Sequence, residues 1–138
     1  MSETRLSIRI DLTNGDRIGP GKIALLEAIR DAGSISAGAR KVGMSYRRAW
    51  LLVEQINAAL REPAVTGVAG GRRGGGAVVT AAGEHVVEIY RAIEGAARKS
   101  AAGEFRAMEK IVRKDKAKVG TNTGTQTGTK ATKTKRKN

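Results

Sequence analysis

Cysteine is absent from the 138 residues, which excludes disulfides and thiolate metal sites. Aromatics are scarce: one tryptophan, two tyrosines and one phenylalanine, at Trp50, Tyr46, Tyr90 and Phe105. Aliphatic side chains and alanine must therefore fill the interior, which favours closely packed helices. A single histidine, His85, with no cysteine beside it makes no convincing metal site and reads as a helix-surface residue. No apolar run approaches the roughly 20 residues that span a bilayer. The first residues, Met1 to Arg5, lack the apolar core of a signal peptide. A soluble, cytoplasmic chain with no membrane partner is the expectation. No Ser/His/Asp arrangement or isolated carboxylate pair suggests catalysis, so an enzyme is not expected.

Acids are also scarce. There are 13 against 26 lysines and arginines, a formal net charge of +13. Such an excess attracts polyanions and favours nucleic acid or an anionic membrane surface. From Lys114 onward lie eight of those bases and one acid, so residues 1–113 keep 18 bases against 12 acids. The part expected to fold is basic without its tail.

Periodicity gives the elements. Leu6, Ile8, Ile10 and Leu12 alternate with Ser7, Arg9 and Asp11, as a half-buried strand does. Asn14-Gly15-Asp16 marks a turn. Pro20 suits the first turn of a helix carrying Ile23, Leu25, Leu26 and Ile29, which Gly33 stops. Ser34 caps a short second helix with Ile35, Ala39 and Val42 on one side, ended by Gly43. A third helix runs from Ser45 to about Leu60; Ala49, Leu52, Val53, Ile56 and Leu60 form its buried stripe. Arg47 points away from that stripe, flanked by Tyr46 and Arg48. Trp50 falls between the two faces, where a packing role at the rim competes with contact to a ligand.

Residues 64–69 and 77–79 read as the strands of a hairpin whose tip is the glycine-rich loop 70–76, with Arg72 and Arg73. The loop lacks both the Gly-Lys-Ser/Thr ending of a P-loop and the spacing of a dinucleotide fold. Thr80 caps a fourth helix, whose apolar residues recur to about Arg113. About 30 residues give about 45 Å, more than the small core covers. Ile93, Ala97, Phe105, Met108 and Val112 are the residues expected to pair with a second copy. Residues 114–138 form a basic, low-complexity tail expected to be disordered. The predicted fold is mainly α with a small β-hairpin wing: a winged helix-turn-helix over 1–113 with a long C-terminal dimerisation helix from about residue 80.

The chemistry of that arrangement is direct. The major groove of B-DNA admits one α-helix, and residues near its N-terminus reach the base edges. Here these are Ser45, Tyr46, Arg47 and Arg48. Arginine donates twice to guanine, while serine and tyrosine hydroxyls hold phosphates. Ser34 and Ser36 start the preceding helix, where free N–H groups favour a phosphate. Arg72 and Arg73 can neutralise phosphates or enter a narrow minor groove.

Gly33-Ser34-Ile35-Ser36-Ala37, Gly43-Met44-Ser45-Tyr46-Arg47-Arg48-Ala49-Trp50, the segment Gly70 to Ala77 and Thr80-Ala81-Ala82-Gly83 together resemble the N-terminal domain of ModE-type molybdate-dependent regulators. That domain is a LysR-like winged helix, and the resemblance covers about residues 17–95. It implies a transcriptional regulator, dimeric on double-stranded DNA, with two recognition helices in successive major grooves and a link to molybdate-related genes. Full-length relatives carry C-terminal oxyanion-binding domains. A tail of about 25 residues is too short for one, so molybdate binding and any other cofactor are not expected here. Two other classes remain open: an architectural, nucleoid-type protein with little sequence preference, and a module whose long helix recruits a separate effector-binding protein.

Overall fold

The computed structural model describes residues 3–71 and 74–115. Its element order is β1 (Ile10–Asp11), β2 (Arg17–Ile18), α1 (Pro20–Ala32), α2 (Ile35–Lys41), α3 (Tyr46–Ala59), β3 (Val65–Gly71), β4 (Gly74–Val79), α4 (Ala81–Ser100) and α5 (Ala102–Ile111). The chain divides into two units, 1–101 and 102–138.

The first strand is shorter than its alternation predicts. Only Ile10 and Asp11 pair, with Ile18 and Arg17, around a turn in which Gly15 has φ 93°. Pro20 begins α1 just after β2, so residues 6–9 have no strand to join. Ile8 is held differently: its carbonyl accepts from the Tyr90 hydroxyl at 2.7 Å.

Helix α1 opens with proline in its first turn and closes on Gly33 in the left-handed region, φ 83°. Ile23, Leu25, Leu26 and Ile29 are buried, each worth about 1.5–3 kcal/mol of transfer free energy. Helix α2 lies tight against it. A Cβ on Gly38 would stand 2.8 Å from Ile29 Cγ1 and 2.9 Å from the Ile29 nitrogen, so only glycine permits this approach. Lys41 ends α2 two residues before the predicted stop, and Gly43, with φ 70°, turns the chain into α3. In α3 the stripe of Ala49, Val53 and Ile56 is buried, with Leu52 and Leu60 packed at its edge.

The two long strands pair antiparallel, Val65 with Val79 through Val68 with Gly76. After a register irregularity, Gly71 faces Gly74. Part of the predicted glycine loop is thus strand, because a ladder of peptide hydrogen bonds needs no side chains. The hairpin is fastened at its base. Ala77 N–H donates to the Gly33 carbonyl at 2.9 Å, Thr80 N–H to the Ala64 carbonyl at 2.8 Å, and the Thr80 hydroxyl to the Pro63 carbonyl at 2.6 Å. A Cβ on Gly83 would collide with the Ala64 carbonyl oxygen and stand 2.7 Å from Val79 Cγ1.

In place of one helix of about 30 residues there are two, of 20 and 10 residues, with Ala101 (φ −99°, ψ 15°) outside both. The run Ser100-Ala101-Ala102-Gly103 has no large apolar side chain whose packing would hold a continuous helix, and Gly103 weakens it further. Val87 is buried with Tyr90 on α4, while α5 buries none of its side chains. No helix among the described residues is long and apolar enough to cross a membrane.

Candidate nucleic-acid interface

The turn between α2 and α3 aims the start of α3 outward. Ser45 Oγ accepts from the Arg48 N–H at 3.1 Å, and Ser34 Oγ accepts from the Ala37 N–H at 3.0 Å. Each serine caps a helix while its own O–H stays able to donate. Tyr46 is 55% exposed, and Arg47 and Arg48 are exposed beside it. The ion pairs of the described residues use other cations: Arg9, Arg30, Lys41, Arg91 and Arg98. Among the described residues Arg47 and Arg48 therefore have no carboxylate partner, and both guanidinium forks are available to an anion.

Ser34, Ser36 and Tyr46 come together on the wall of one open hollow of about 490 Å³ between α3 and the hairpin. Ser45, Arg47 and Arg48 do not line it. Trp50, 45% exposed, faces this hollow, which resolves its place between the two faces of α3. Glu54 and Asn57 also line it, and neither was singled out from the sequence. The available signal was spacing: residues 46, 50, 53 and 57 share one flank of a helix. Gly75 and Gly76 present bare backbone on the facing strand, and a Cβ on Gly76 would stand 2.9 Å from the Gly33 carbonyl oxygen. Arg72 and Arg73 lie outside the described residues, as does the tail from residue 116.

The residues expected at a dimer seam fall into two groups. On α4, Ile93 is 42% exposed and Ala97 half-buried; Ile93 and Ile89, which is 47% exposed, border an apolar groove of about 190 Å³ that also includes Ile10, Leu12 and Leu60. Ile89 was missed from the sequence, although it stands one turn before Ile93. On α5, Phe105 is half-buried, while Met108 and, just past the helix, Val112 are about half exposed.

Arg91 ties α4 to α1. It bonds Glu27 through both carboxylate oxygens, at 3.0 and 2.7 Å, and Glu94 at 2.7 Å. The hydrogen bond from Arg91 holds the Glu27 carboxyl below the usual glutamate value, and the two carboxylates hold the Arg91 guanidinium above its own.

No protein-family profile matches the chain. Known proteins do. The molybdenum-pterin-binding protein MopB of Rhodobacter capsulatus is 46% identical over 105 residues, 76% of this chain and 37% of that protein. The molybdenum transport protein ModE of Azotobacter vinelandii is 42% identical over 96 residues, 68% of this chain and 36% of that protein. The DNA-binding transcriptional dual regulator ModE of Escherichia coli K12 is 39% identical over 71 residues, 51% of this chain and 27% of that protein. The chain thus spans between about a quarter and little more than a third of the length of these relatives. Over that matched stretch it is a relative of the ModE-type proteins, as its turn, its α3 segment and its glycine-rich hairpin led one to expect.

Proposed function

We propose that this chain is a transcriptional regulator that binds double-stranded DNA as a homodimer through a winged helix-turn-helix, acting in the cytoplasm on nucleoid DNA and on molybdenum-related genes. The observation that carries the reading is the capped, outward start of α3, where Tyr46, Arg47 and Arg48 stand exposed beside a hairpin. Arg47 reads guanine O6 and N7 in the major groove, and Arg48 and Tyr46 hold phosphates on either side. Ser34, Ser36 and Ser45 donate hydroxyl hydrogen bonds to the backbone, and Arg72 and Arg73 meet the neighbouring minor groove. Ile93, Ala97, Phe105, Met108 and Val112 bury their apolar atoms against a second copy. The molybdenum link rests on the names of the relatives alone, and no residue is assigned to molybdate.

The test is selection from a random duplex library with the purified full chain. Two half-sites in inverted repeat, one or two helical turns apart, are the expected product. A flat selection at physiological salt would replace this reading with that of an architectural protein, which the net charge of +13 favours on its own.

A further inference from the structure

Asn57 is the α3 side chain whose hydrogen bonds reach the base of the hairpin. Its Oδ1 accepts from the Ala64 N–H at 2.8 Å and the Val65 N–H at 3.1 Å, and its Nδ2 donates to the Val65 carbonyl at 3.1 Å. One amide thus offers Val65 the donor and the acceptor that a neighbouring strand would offer. The bonds at the hairpin base described above reach Gly33, Pro63 and Ala64, whereas those of Asn57 come from α3 itself. Gly67, Gly70, Gly71, Gly74, Gly75 and Gly76 leave its strands few side chains with which to pack or stiffen. The backbone between α3 and β3 is only residues 60–64, but a short connection limits reach without setting an angle. Tyr46 to Arg48 and Asn57 share one helix, so whatever Asn57 holds is held relative to the residues at the helix start.

We propose that Asn57 is a positioning residue that locks the hairpin to α3, so that the start of α3 and the hairpin meet DNA as one preformed surface. The proposal rests on the DNA-binding reading and adds a coupling between its two contact elements. Preorganisation of this kind spares a binding site the entropy of ordering a loose element. It matters most where both elements must be in register with one sequence, and least in non-specific attraction to phosphate.

The test compares the full chain with Asn57→Ala and Asn57→Asp, each checked for folding by circular dichroism. Amide exchange at Ala64 and Val65 is measured in the free protein. Hydroxyl-radical footprints and dissociation constants are measured on a selected duplex and on a random one. In Asn57→Ala exchange at both amides is expected to rise, affinity for the selected duplex to fall roughly tenfold, and the protection given by the hairpin to vanish while that of α3 remains. Binding to the random duplex should change by less than about twofold. Asn57→Asp keeps the acceptors and loses the donor, so it should fall between, and it carries the test should the alanine variant not fold. Equal losses on both duplexes, or an unaltered footprint, would reduce Asn57 to a packing residue and overturn the proposal. Should the unsubstituted chain protect no duplex while its Ala64 and Val65 amides stay protected, the DNA reading has failed and the coupling falls with it. Failure of the coupling alone leaves that wild-type footprint in place.

Discussion

At the scale of single residues, the exposed cations of α3 and the paired cation of α4 illustrate two uses of arginine. Arg47 has no carboxylate among the described residues, so its removal leaves no buried charge behind and should cost the fold little. Arg47→Ala is expected to lower affinity for a selected duplex by about 1–3 kcal/mol and to blur discrimination at one base position, measured by competition against single-base variants. A uniform loss on every sequence would make it a phosphate contact instead. Arg91 acts inside the molecule. Folding favours the ionised form of Glu27, so the pair stabilises the fold above the ordinary glutamate range. That contribution is lost as pH falls from the ordinary value through the lower folded one. With Arg91 42% exposed, solvent screening limits it to the order of 1 kcal/mol or less. Thermal melts of Glu27→Gln should therefore show a reduced midpoint at neutral pH and a shallower decline in acid.

Among elements, what could be foreseen divides by range. The serine caps, the left-handed Gly33 and the buried stripe of α3 depend on residues within one or two turns, and each is legible in the sequence. The pairing of Asn57 with β3 joins an amide to backbone atoms, which leave no trace in side-chain patterning. The strand over residues 6–9 and the single long helix failed for a related reason: alternation and periodicity describe what a segment could bury, not whether a partner stands there. The outward residues of α4 meet the same limit. Ile89 and Ile93 are exposed in one copy, and a second copy is the proposed cover. Ile93→Glu should leave circular dichroism unchanged and shift sedimentation from dimer to monomer. An unshifted dimer would place the seam elsewhere.

For the whole molecule, charge governs behaviour that no single contact sets. With 26 bases against 13 acids, binding to duplex DNA should weaken steeply with salt, the logarithm of affinity falling by about 0.9 per phosphate neutralised. Deleting residues 115–138 should flatten that slope and weaken binding to all sequences alike, as read from titrations across a salt series; an unchanged slope would assign the attraction to the rest of the chain. The hydrogen bond from Tyr90 to Ile8 joins residues 82 positions apart. Closing so long a loop carries an entropic cost that only later contacts offset. During synthesis the segment around Ile8 therefore waits: α1, α2, α3 and the hairpin leave the ribosome before the residue that anchors it does. A nascent chain halted before Tyr90 already carries Arg47 and Arg48, and with them the means to meet DNA, while its own beginning is still unsecured.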